Sequence, residues 1–129
     1  MAQIDADTRT ARERTMASML AIWQGESDPQ DLDELVTGDF VGHLGFRSRD
    51  REQLKRDIAA FRASADDVHF AMEHRFMEGD FVATRWSASA RDREGKPLVA
   101  AGLNISRWTG SRLAEEWAVW EPLHAPDLM

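Results

Sequence analysis

VHFAMEHRFM at residues 68–77, the break Glu78-Gly79-Asp80, and FVATRWSASAR at residues 81–91 decide the fold of this chain. The two flanks alternate apolar and polar residues, as half-buried strands do, and the break has the composition of a tight hairpin. Downstream the pattern repeats. Residues 93–96 form a polar turn, 97–108 a third strand, 109–111 another turn and 113–121 a last strand. Side chains alternate between the two faces of each strand. A two-residue loop at the break puts Phe70, Met72, His74 and Phe76 on one face with Phe81, Ala83, Arg85, Ser87 and Ser89. His69, Glu73, Arg75, Val82, Thr84 and Trp86 then share the other. A three-residue loop reverses the pairing. The first set has apolar walls with a few polar groups among them, the expected lining of a small-molecule pocket. The second, with Trp86, reads as a subunit interface or a solvated face.

Upstream of residue 66 the period changes from two to 3.6. Met16, Met19, Leu20 and Trp23 fall at i, i+3, i+4 and i+7, one face of a helix that Asp7 could cap and Gly25 could end. Arg9, Arg12 and Glu13 occupy its opposite face. A short second helix starts at Asp28-Pro29, buries Leu32, Leu35 and Val36, and stops by Gly38. FVGHLGF at residues 40–46 is a short extended stretch with two glycines. A third helix begins near Asp50, which has capping-box spacing to Gln53, with Ser48 as the alternative start. Its stripe is Leu54, Ile58 and Phe61. Helices followed by strands argue for an α+β fold, one domain over residues 1–129. The tail HAPDLM reads as loose.

Composition narrows the function. The chain has 129 residues, 43 % of them hydrophobic, enough for a real core. It has no cysteine, which excludes disulfides, thiolate metal sites and a cysteine nucleophile. Sixteen basic and 23 acidic residues give a net charge of −7, which argues against nucleic acid and anionic membrane as partners. No apolar run could span a bilayer, and MAQIDADTRTARERT lacks the apolar centre of a signal peptide. The expected location is the cytoplasm. There is no glycine-rich phosphate loop, metal-ligand spacing or serine-hydrolase elbow.

GDFVATRW at residues 79–86 and GLNISRWTGSRLAEEWAVWE at residues 102–121, preceded by DFVGH and REQLKRDIAAF, resemble SnoaL-like polyketide cyclases of the nuclear-transport-factor-two-like superfamily. The resemblance covers nearly the whole chain in order. It implies a cone in which about three helices pack on a strongly curved antiparallel sheet and enclose an apolar pocket. It implies homodimers through the outer sheet face, and acid–base catalysis by a cavity carboxylate without metal or cofactor. The cyclases close rings by an intramolecular aldol reaction. Relatives isomerise steroids, hydrolyse epoxides or dehydrate small molecules, and others only bind. The usual acid follows the tryptophan of the last strand in an EHWD-like run. Here Glu115-Glu116-Trp117-Ala118 puts Ala118 at the aspartate position and Glu116 at the histidine position. Glu116, two residues from Ala118, or Glu121 would have to supply the proton-transferring group. Arg85 matches the arginine of a GD-x-V-x-x-R pattern, but Ser87 stands where epoxide-hydrolase relatives carry an aspartate.

The candidate catalytic residues are therefore His43, Glu116, His74 and Arg85. His43 sits where relatives place a pocket histidine, and an imidazole titrating near ~6.5 suits a general base. The alternative is a hydrogen-bonded histidine at the rim. His74 lies across the hairpin from Arg85 or one step away, and the pair could polarise a carbonyl, or the guanidinium could simply pair with Glu73, Glu116 or Glu121. Glu116 and Glu121 could be acids with raised pKa, or partners of Arg107 or Arg112. Expected pocket residues are Trp23, Phe40, Phe46, Phe61, Met72, Ser87, Asn104, Ala118 and Trp120. The cluster RSRDREQLKR reads as a solvated helix face. Two functions stay open: an acid–base enzyme acting on an apolar carbonyl compound, and a binding protein in which Ala118 marks lost catalysis.

Overall fold

The computed structural model describes residues 4–123, so the tail HAPDLM lies outside them. Helix α1 spans Ala6–Trp23. Its cap is Asp5 rather than Asp7: Asp5 is extended and its carboxylate accepts from the Thr8 N–H at 2.7 Å, while Asp7 lies inside the first turn. Asp28 caps a 3₁₀ turn at Pro29–Asp31, which leads into α2 (Leu32–Leu35). Val36 is already extended and opens β1 (Val36–Leu44), so this strand is longer than the glycine-rich stretch alone suggests. A turn at Gly45, with φ +62°, leads to β2 (Arg47–Arg49). Helix α3 (Arg51–Ser64) starts after Asp50, whose carboxylate accepts from the Gln53 N–H at 2.8 Å. Four long strands follow: β3 (Ala65–Glu78), β4 (Phe81–Asp92), β5 (Pro97–Thr109) and β6 (Arg112–Leu123).

The strands form one sheet in the order β2-β1-β6-β5-β4-β3. All neighbours are antiparallel except β1 and β6, so the sheet is mixed. Register breaks in β1, β3 and at Arg107/Trp108 bend it. Ile22, Leu32, Leu54 and Ile58 of the helices pack on Val36, Phe40, Val82, Trp108 and Leu113 of the sheet. That packing defines the inner face, to which the even-numbered residues of β4 and β5 belong.

Two expectations change here. Glu78 pairs with Phe81 and His74 with Arg85, as the two-residue loop predicts. A bulge at Glu73 then shifts the register, so Met72 pairs with Trp86 and Phe70 with Ala88. Phe70 and Met72 therefore lie inside with Trp86, while His74 and Phe76 lie outside with Arg85. Arg12, expected on the face opposite the methionine stripe, is only 3 % exposed. Its guanidinium donates to the carbonyls of Gly79 at 2.6 Å and Gly110 at 2.9 Å, tying two hairpin turns to the helix. No helix among the described residues is long and apolar enough to cross a membrane.

Candidate active site on the inner sheet face

Strand register brings a polar group together on the inner face. Trp86 on β4 pairs with Gly102 on β5. A Cβ at Gly102 would lie 2.3 Å from Cζ2 of Trp86, so the indole lies flat over the glycine. From there Nε1–H donates to Asn104 Oδ1 at 2.9 Å. An indole nitrogen only donates, so this bond fixes which end of the amide faces which way. The Asn104 amide nitrogen is left to donate to Glu116 Oε1 on β6. Desolvation by burial pushes the Glu116 carboxyl above the usual glutamate range, and the charge of Arg49 opposes that rise. Ala118 pairs with Asn104 and with Leu44, so the position next to Glu116 on this face is a small apolar wall.

Aromatic residues close one side of this group. Phe70 lies 5.7 Å from Trp86, and Trp23 of α1 lies 6.3 Å from Phe70 and 5.6 Å from Phe61 of α3. On the other side, Leu44, Arg47, Ser48, Arg49 and Gln53 line a cavity of about 410 Å³ under the β1–β2 hairpin. Among the described residues no group of three or more His, Cys, Asp or Glu could hold a metal ion.

The profile of SnoaL-like polyketide cyclases matches residues 13–125. The chain belongs to the SnoaL-like polyketide cyclase family. Solved structures agree. IdmH of Streptomyces antibioticus, described as a candidate polyketide cyclase, is 26 % identical over 85 % of this chain and 91 % of its own, with a TM-score of 0.73. TsrD of Streptomyces laurentii shares 18 % identity over 92 % of both chains, with a TM-score of 0.76. A candidate SnoaL-like cyclase of Jannaschia shares 13 % over 93 % of this chain and 92 % of its own, with a TM-score of 0.77. The last two show the fold alone. No curated protein matches the chain.

In this SnoaL-like chain the expected site residues separate by face. Glu116, Asn104, Ala118, Met72 and Trp120 lie inside, with Trp23 and Phe61 contributed by the helices. His43 does not join them. It pairs with Trp117 on the outer face, stacks on that indole at 5.4 Å, and shares a 2.7 Å hydrogen bond with Glu115 Oε2. That bond, aided by Arg107, holds the Glu115 carboxyl below the usual glutamate range against desolvation. His74 and Arg85 pair with each other on the same outer face, and both are exposed. Ser87 is also outside, donating to Glu73 Oε1 at 2.7 Å. Glu121 pairs with Ala101 and shares that face. Phe40 is 1 % exposed in the core, and Phe46 is fully exposed at the β1–β2 turn. Arg112 binds the carbonyls of Asp33 and Val36 rather than a glutamate.

Three residues of the site were not singled out from the sequence. The alternation puts Trp86 with the set that reads as an interface or a solvated face, because the bulge at Glu73 is invisible in it. Gly102 had a readable signal, since a glycine inside a strand marks close approach of a neighbour. Arg49 was hidden in a mixed-charge run, yet β2 turns it inward.

Proposed function

We propose that this SnoaL-like chain binds an apolar carbonyl compound against the inner sheet face and moves a proton on it with the Glu116 carboxyl. The observation that carries the reading is the desolvated Glu116, held by Asn104, which Trp86 holds in turn. A carboxyl raised above its ordinary range is a stronger base when ionised and is kept as an acid to higher pH. Asn104 engages one oxygen, which leaves the second for substrate. The ionised carboxyl takes a proton from carbon next to a carbonyl, and the C–H electron pair becomes an enolate. In a ring closure that carbon bonds to a second carbonyl carbon, and the new alkoxide takes the proton back from Glu116. Charge and atoms balance with no further reactant. Glu116 thus stands in for the acid that Ala118 lacks. The family description, and that of IdmH, favour a substrate with several carbonyls.

Exchange of the α-protons of 1-tetralone in D₂O, followed by NMR, tests this reading. Wild-type protein should accelerate the exchange, and Glu116→Gln should lower the accelerated rate by about 100-fold or more. His43→Ala, on the outer face, should leave it unchanged. An undiminished rate in Glu116→Gln, or a wild-type rate equal to that of buffer, overturns the proposal.

We also propose that a second copy of the chain covers the outer face. Phe76, Phe81, Leu103, Ile105, Trp117 and Val119 are exposed there side by side on neighbouring strands. A contiguous apolar patch of this kind marks a protein contact surface. Arg85 and Arg107 lie on the same face as Glu115 and Glu121, so a two-fold arrangement can set opposite charges against each other.

A further inference from the structure

A single row of paired residues crosses five strands on the inner face: Val82, Ser106, Glu116, Gly42 and Arg49. Gly42 is the gap in that row. A Cβ there would meet Arg49 Cγ at 3.3 Å and the Phe40 ring at 3.1 Å, so the absent side chain lets the Arg49 stem fold inward. Arg49 and Glu116 thus flank one bare strand position. The Arg49 side chain is 14 % exposed, and its Nη1 donates to Asp57 Oδ2 at 2.9 Å. Gln53 holds Asp57 in place through a 2.8 Å bond to Oδ1. Among the described residues the buried Nε has no partner. The Nε–Nη2 edge, the one suited to a bidentate carboxylate, is therefore not taken by Asp57.

The surroundings select the ligand. Of the five residues that line the 410 Å³ cavity, Arg47 and Arg49 are cationic and none is acidic. That is contrary to the net charge of −7 over the whole chain. Leu44, which lines the same cavity, pairs with Ala118 beside Glu116, so one wall of the cavity is the strand next to that of Glu116. A buried guanidinium N–H without an acceptor is unfavourable, and an anion bound there would remove that penalty.

We propose that the cavity under the β1–β2 hairpin is a carboxylate subsite in which Arg49, supported by Arg47, holds an ionised carboxyl group of an otherwise apolar substrate. The inference rests on the small-molecule reading above and narrows its substrate class to apolar acids. Arg49 orients the molecule so that its reacting carbon lies toward Glu116.

Binding of 2-naphthoate and of methyl 2-naphthoate, measured by calorimetry at pH 8 and low salt, tests it. Wild-type protein should bind the acid at least about tenfold more tightly than the ester, as a charge-assisted contact requires. Arg49→Met should lower the acid affinity about tenfold and affect the ester much less. Arg49→Lys keeps the charge beside Asp57, and so remains informative if Arg49→Met does not fold. It should give an intermediate loss, because an ammonium lacks the planar fork. Ester and acid binding equally well would overturn the subsite and leave the small-molecule reading standing. Undiminished acid preference in both variants would do the same. Failure of both ligands to bind wild-type protein would overturn both.

Discussion

Gly102 performs no chemistry, yet the orientation of Glu116 depends on it. A methyl group at that position would enter the Trp86 indole ring, and the indole is what fixes the Asn104 amide. Gly102→Ala should destabilise the protein by about 1–3 kcal/mol, the usual cost of overpacking, in chemical denaturation. It should also alter the tryptophan fluorescence. Glu115 and Glu116 are adjacent in sequence and opposite in behaviour. Glu116 faces inward to Asn104 and Arg49, and burial raises its pKa. Glu115 faces outward to His43 and Arg107, whose contacts lower it. A raised carboxyl contributes stability that is complete below the ordinary glutamate pKa and is lost as pH rises through the folded value. A lowered carboxyl contributes stability that is present above the ordinary value and is lost as pH falls through the folded one. Melting temperature against pH should therefore separate two variants. Glu116→Gln should be more stable than wild type at pH 8 and equal to it near pH 4. Glu115→Gln should be less stable at pH 7, with the deficit shrinking in acid. Glu116 was legible because it shares strand parity with Ala118. His43 was not, because its face is set by pairing with β6, at the far end of the chain, and nothing local reveals that partner.

At the scale of elements, alternation and caps carried most of the information. Asp50 was readable as the start of α3 because its side chain is three residues from the N–H it binds, a local relation. Asp50→Ala should cost about 1 kcal/mol in equilibrium unfolding, whereas Ser48→Ala should cost almost nothing. The β3–β4 hairpin was readable from its loop for the first five pairs, Glu78–Phe81 to His74–Arg85. Beyond them the bulge at Glu73 shifted the pairing with β4 by one residue from Met72 to His69, until a second shift before His69 restored the expected parity at Asp66. A bulge adds one residue without changing composition, so alternation cannot announce it. Ser87 binds the Glu73 carboxylate at 2.7 Å on the outer side of that bulge. That bond is long-range in sequence, so no local pattern announces it. Arg12 was misplaced for a different reason: it precedes Met16 by four residues and Met19 by seven, so it shares the face of the methionine stripe and is buried with it. What covers that face is a pair of turns contributed by distant hairpins.

At the scale of the molecule, the sheet separates two roles. The inner face holds the polar group and the core, and the outer face presents apolar side chains. If a second copy covers the outer face, wild-type protein should run at twice the chain mass in light scattering. Ile105→Lys combined with Val119→Lys should then run at the chain mass with its melting transition retained. A monomeric wild-type protein would exclude that arrangement. The inner-face assignments do not depend on the outcome. The parallel pairing of β1 with β6 has a separate consequence, for the order of folding. Val36 pairs with Leu113 and Gly42 with Glu116, so the strand that carries the carboxyl and the neighbour beside it are far apart in the chain. Local hairpins such as β3–β4 close a short loop and form early. The β1–β6 contact closes a loop of more than 70 residues and belongs late in the folding reaction. During synthesis β1 must wait without its neighbour until β6 has been made, with an unpaired edge exposed in the interval. The contacts that bring Gly42 and Arg49 beside Glu116 are thus expected to be among the last to form.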